Sequence, residues 1–154
     1  MARIETFFGN QELINLTASV GRGGVNLKDD VLIVQAMLKY ALKDRPFFRD
    51  FKFCEPTGAI NEETRLLIKR YQKFLRRATK VDIAVDGLID RAIGEKPSGK
   101  NGRWTILYLN EHMLEARLLK TDQLSEFQDL AREFPQVHSV LDNLPVGSLN
   151  LALE

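Results

Sequence analysis

Apolar positions recur at helical spacing in three long stretches of the chain. Val31, Val34, Leu38 and Leu42 form one stripe, widened by Met37 and Ala41, and predict a first helix. It follows Gly21-Arg22-Gly23-Gly24-Val25-Asn26, so Asn26 is its expected cap, with Asp29 and Asp30 in the positive first turn. Thr64, Ile68, Tyr71, Leu75 and Ala78, flanked by Leu67 and Phe74, predict a second helix. Its expected cap is Asn61, followed by Glu62 and Glu63. A third helix is expected to open at Arg103-Trp104-Thr105 and to run through Ile106 and Leu109 to Leu119.

The flanks carry less periodicity. Ile4–Phe8 and Leu13–Ala18 read as short strands or as an irregular lead-in. Phe47, Phe48, Phe51 and Phe53 crowd one loop, which predicts a loop folded back onto the core. After Thr121, the positions Leu124, Phe127, Leu130, Ala131 and Phe134 predict a helix that Pro135 ends. Val137, Val140, Leu141 and Leu144 predict a final short helix, and Leu149–Leu153 alternates like a strand.

A weak repeat runs through the middle of the chain. Gly58-x-Ile60-x-x-x-Thr64 opens the second helix, and Gly87-x-Ile89 followed by Thr105 opens the third. Glycine permits the tight turn, isoleucine plugs the core, and threonine enters the first helical turn. The Gly-to-Thr separation is six residues in the first copy and eighteen in the second. The excess is the Gly- and Lys-rich stretch from Arg91 to Gly102, expected to be an exposed, mobile loop. Gln35 and Gln72 sit alike on the first two helices and are positioned to hydrogen-bond the turn backbones, which is a folding role.

Composition narrows the function classes. The chain has 154 residues, 44% hydrophobic and 28% charged, the profile of one globular domain with an appended element. Its apolar runs are too short for a membrane-spanning helix. The single cysteine, Cys54, excludes an internal disulfide and a cysteine-cluster metal site, and its aromatic neighbours predict burial. Formal net charge is +1, divided into +6 over residues 1–110 and −5 over 111–154. Arg65, Lys69, Lys73, Arg76 and Lys80 form a basic stripe on the outer side of the second helix. It reads as a solvated face, as a partner for the acidic C-terminal helices, or as a surface attracting anionic wall polymers. Aromatic interleaving and nucleic-acid motifs are missing from it, so nucleic acid is disfavoured.

Catalysis is poorly provided for. His112 and His138 are the only histidines, and no zinc-protease spacing occurs. Glu62-Glu63 is explained by helix capping electrostatics. Gly21-x-Gly23-Gly24 lacks the Gly-Lys-Ser/Thr of a phosphate loop and reads as a turn. The expectation is no enzyme, no cofactor and no metal.

Val20-Gly21-x-Gly23-Gly24-x-Asn26, Asp30-Val31-x-x-Val34-Gln35-x-x-Leu38, Gly58-x-Ile60-x-x-x-Thr64, Ile68-x-x-Tyr71-Gln72, Asp86-Gly87-x-Ile89-Asp90, Thr105 and Leu109-Asn110 occur in this order over residues 20–110. In this the chain resembles the peptidoglycan-binding domain family with a three-helix core. It departs at Thr57-Gly58, where that family usually carries an acidic residue before the glycine, in the longer loop before the third helix, and in residues 111–154. The resemblance implies an all-α fold: an irregular lead-in at 1–19, a three-helix domain at 20–110 and a C-terminal helical extension at 111–154. It implies a non-catalytic module for bacterial cell-wall peptidoglycan. The alternative is a protein-interaction adaptor or structural accessory of a lytic-enzyme, type VI secretion or contractile injection system, docking through the C-terminal helices. The opening Met-Ala-Arg-Ile-Glu-Thr-Phe-Phe-Gly lacks the apolar core and cleavage site of a secretory signal. A chain made in the bacterial cytoplasm and delivered to the periplasm or wall by a non-classical route is therefore expected.

A glycopeptide site calls for aromatics against sugar faces, amides, and cations for stem-peptide carboxylates. Asp86, Asp90, Arg91, Lys100, Asn101, Arg103, Trp104 and Tyr108 bring this chemistry together around the second Gly turn and the start of the third helix. Trp104 is the only tryptophan. It serves either this site or the anchoring of the third helix in the core.

Overall fold

The computed structural model describes residues 1–7, 11–94, 102–121 and 124–142. Along the chain run β1 (Ala2–Phe7), β2 (Gln11–Asn15), β3 (Val20–Gly21), α1 (Lys28–Leu42), α2 (Glu62–Thr79), β4 (Leu88–Ile89), α3 (Thr105–Leu118), α4 (Glu126–Glu133) and β5 (Leu141–Asp142). Short 3-10 turns lie at Pro46–Phe48 and Pro135–Ser139.

The all-α expectation is wrong: the fold mixes helices with two small sheets. β1 is the middle strand of the first sheet, antiparallel to β2 and parallel to β5. β3 pairs antiparallel with β4, with Val20 opposite Ile89 and Gly21 opposite Leu88. The N-terminal segment is therefore not irregular. Ala2 and Ile4 point into the core while Arg3 between them faces out, the period of two of a half-buried strand. The expected helix at 137–144 is also overturned. A 3-10 turn carries Val137 into the core, and Leu141 then pairs with Ala2. Leu144 and the alternating stretch 149–153 lie outside the described residues.

The three main helices stand where their periodicity puts them. α1 is the central one, buried at every position from Asp30 to Leu42 except Lys39. α3 lies along it, with β1, β3 and α4 on its other sides, so its apolar surface extends all round rather than along one stripe. α2 is amphipathic, with Thr64, Ile68, Tyr71 and Leu75 inside, although Ala78 is exposed. The aromatic loop folds back as expected. Phe48 is fully buried, and Phe47 meets Phe74 of α2 with ring centroids 5.4 Å apart. Cys54 is only half-buried.

Two of the expected caps divide. Asn61 caps α2, its side chain accepting from the Thr64 amide at 2.7 Å. Asn26 does not cap α1. It stands one residue further out in the left-handed region (φ 57°), where its side chain accepts from the Gly21 amide and donates to the Gly21 and Gly24 carbonyls. It braces the Gly-rich turn instead. Asp30 accepts from the amides of Thr17 and Ala18, each at 3.0 Å.

Candidate functional site

The repeat seen in the sequence is a repeated clamp. Gln35 accepts from the Thr57 and Gly58 amides at 2.8 and 3.0 Å, and donates to the Ala59 carbonyl. Gln72 accepts from the Gly87 amide at 2.8 Å, and donates to the Leu88 carbonyl and to Asp86. Each turn glycine has a positive φ, 83° at Gly58 and 74° at Gly87, a conformation that costs other residues energy. Asn110 of α3 makes a third clamp, holding both the amide and the carbonyl of Ile14 in β2. Asn15 next to it grips the backbone of Ala92 in the same two ways.

The second clamped turn forms one wall of a cleft of about 170 Å³. Asp82, Asp86 and Asp90 reach it from the segment after α2, and Arg103, Trp104 and Thr105 from the opening of α3. Asp86 is fixed: its Oδ1 accepts from the Leu88 amide at 3.0 Å and from Gln72 at 3.1 Å. Burial, and then the charge of Asp86, raise the Asp90 carboxyl above the usual carboxylate range. Trp104 is half-buried, and its indole N–H donates to the Ile93 carbonyl at 3.2 Å. One end of the ring is anchored while its body lines the cleft.

Of the residues expected here, Asp86, Asp90, Arg103 and Trp104 line the cleft. Tyr108 is buried, its hydroxyl accepting from the Arg103 amide at 3.2 Å; it supports the α3 start from below. Arg91 is exposed and does not line the cleft. Lys100, Asn101 and most of the expected mobile loop lie outside the described residues. Arg103 forms an ion pair with Glu111, so the described lining is richer in carboxylates and aromatic surface than in available cations. Gln72 and Asp82 belong to the cleft without having been singled out for it.

The basic stripe is fully displayed: Arg65, Lys69, Lys73, Arg76 and Lys80 are all exposed. Among the described residues it makes no salt bridge to α4, whose Asp129 and Glu133 pair with Lys120, Arg132 and Lys43. The only ion pair from the stripe among those residues joins Arg76 to Asp82 at 3.4 Å. His112 is engaged with the Tyr71 hydroxyl at 2.7 Å, while His138 is exposed. No group of three or more potential metal ligands occurs among the described residues, and no helix there is long and apolar enough to cross a membrane.

A larger groove, about 630 Å³, opens between the ends of α1 and α3. Its cations Lys43, Arg45 and Lys120 are paired with Glu133, Glu115 and Asp129, and the exposed Leu118 and Leu119 line it. Comparison with family models, curated proteins and solved structures finds no match to this chain.

Proposed function

We propose that the protein is a non-catalytic module that recognises cell-wall peptidoglycan, with the cleft at Trp104 as its glycan site. The observation that carries this reading is the meeting of the sole tryptophan with Asp82, Asp86 and Asp90 across one small cleft. A flat aromatic body offers contact to the apolar face of a sugar ring, and carboxylates accept from hydroxyl and amide N–H groups. The Gln72 clamp holds one wall of the cleft in place before any ligand arrives, which lowers the ordering cost of binding. On this reading the chain meets its ligand in the periplasm or at the wall, reached by a non-classical route.

Co-sedimentation with purified insoluble wall tests it. Saturable binding is expected, weakened about tenfold by Trp104→Ala, the order of one well-formed aromatic contact. A folded Trp104→Ala variant that binds as wild type overturns the site. Release of soluble wall fragments by the purified protein, with or without zinc, overturns the non-catalytic assignment.

One observation favours a second reading, an adaptor role through the C-terminal helices. Leu118 and Leu119 are 72% and 86% exposed at the end of α3, where they line the larger groove. Loss of binding to a protein component of a lytic or secretion system in a Leu118→Ser, Leu119→Ser variant, with no wall binding by wild type, moves this reading ahead.

A further inference from the structure

We propose that the carboxylates of the wall stem peptide are held in a second subsite, a groove formed by Arg22, Arg65 and Lys69 on the far side of the Asp86–Gly87 turn. The proposal rests on the peptidoglycan reading and deepens it. The groove encloses about 360 Å³ and borders the same Asp86 that lines the tryptophan cleft. The two depressions therefore flank one turn, and a ligand with a sugar and a peptide part can span both.

The cations are brought there by the fold. Arg22 follows β3, and its amide donates to the Gly87 carbonyl at 2.9 Å, so its side chain starts from the clamped turn itself. Arg65 and Lys69 are one helical turn apart on the outer face of α2. All three are exposed, and among the described residues none is in an ion pair. That sets them apart from Lys39, Lys43, Arg45, Arg70 and Lys120, each paired with a carboxylate.

The chemistry points to discrete carboxylates rather than a polyanion. Glu62 and Asp86 also border the groove, so its net charge is small and a densely charged polymer gains little from it. Arginine offers a carboxylate paired, parallel N–H donors. Leu66, 52% exposed on the same groove, offers contact to the short alkyl side chains that such peptides carry between their acidic groups. Lys73, Arg76 and Lys80 continue along α2 without lining the groove, and so contribute attraction at a distance only.

The test compares purified insoluble wall with the same wall after its stem carboxylates have been amidated. Wild type is expected to bind native wall about tenfold more tightly at low salt, the combined worth of a few exposed ion pairs. Replacing Arg22, Arg65 and Lys69 together by Gln should reduce binding to the amidated level and abolish the difference between the two walls. Replacing Lys73, Arg76 and Lys80 by Gln should preserve the difference. Wild type that binds both walls equally, while Trp104→Ala still weakens binding, overturns the subsite and leaves the glycan reading standing. If wild type sediments with neither wall, the glycan reading falls, and NMR titration with a free stem tripeptide decides the subsite. Shifts at the Gly87 amide and the Arg22 and Arg65 side-chain N–H groups support it; their absence overturns it too.

Discussion

Gln72 and Gly87 are joined by a 2.8 Å hydrogen bond from the glycine amide to the side-chain oxygen, and Gln35 holds Gly58 in the same way at 3.0 Å. The two clamps are chemically alike, yet only the second borders the tryptophan cleft. Replacing either glutamine by Leu leaves buried turn amides without their acceptor, at a cost of about 1–3 kcal/mol. Urea unfolding should show comparable losses for Gln35→Leu and Gln72→Leu. Wall binding should fall for Gln72→Leu alone. Equal loss of binding in both would mean that the cleft is not the site.

The two glycines flanking Arg22 should respond unequally to alanine. A Cβ at Gly21 would lie 2.1 Å from the Gly87 carbonyl oxygen, with φ at 121°, whereas one at Gly23 meets nothing within 4 Å. Gly23→Ala carries only the penalty of its positive φ, about 1 kcal/mol. Gly21→Ala must in addition push β3 away from β4. Thermal melts should rank Gly21→Ala well below Gly23→Ala.

Asp129 is fully buried and receives the Tyr40 hydroxyl at 2.5 Å along with ion pairs from Lys120 and Arg132. Burial raises its pKa, but the hydrogen bonds from Lys120 and Tyr40 and the neighbouring charges outweigh that and hold it below the usual carboxylate range. A depressed carboxyl contributes stability that is present above its unfolded pKa, about 4, and lost as pH falls through the folded value. Tyr40→Phe removes one donor to a charged acceptor and should cost about 1.5–3 kcal/mol at pH 7. Its acid-unfolding midpoint should move to higher pH. An unchanged midpoint would mean that Tyr40 does not support the carboxylate.

His112 works in the opposite charge state. Burial, then the nearby Arg45 charge, lower its pKa, and Tyr71 can donate to its Nδ1 at 2.7 Å only while that nitrogen is unprotonated. The folded form therefore holds fewer protons than the unfolded one, and stability is complete above about pH 6.5 and lost below it. Wild type should lose stability between pH 7 and pH 5, and His112→Gln should lose less. Guanidinium titrations at the two pH values measure the difference.

The parts of this fold that could be read in advance are those where one periodicity dominates. Ile68, Tyr71 and Leu75 announce α2, and its inner face is the one they mark. β1 carries a legible alternation in Ala2 and Ile4, but β2 places Leu13, Ile14 and Asn15 all inside, so its half of the pairing had no matching pattern. β5 is two residues long, too short for any period. The capping box at Ser125 and Gln128 is written in the sequence as Ser-x-x-Gln. At the cleft, Asp86, Asp90 and Trp104 were recognisable by type and proximity. Asp82, four residues before Asp86, carries the same signal; Gln72 does not, because only the folding of the turn back onto α2 brings it in. The loss of Arg103 as an available cation depends on Glu111, eight residues along the chain, and no local spacing rule announces that partnership.

The pairing of Ala2 with Leu141 has a consequence for synthesis. Contacts between segments this far apart in sequence form slowly, since a long loop must close first. During translation β1 emerges well before its second neighbour, with β2 through α4 made between them. Until then one edge of β1 has its backbone groups unpaired, and such an edge invites pairing with other chains. A nascent chain arrested after α3 should therefore be the species that chaperones hold longest.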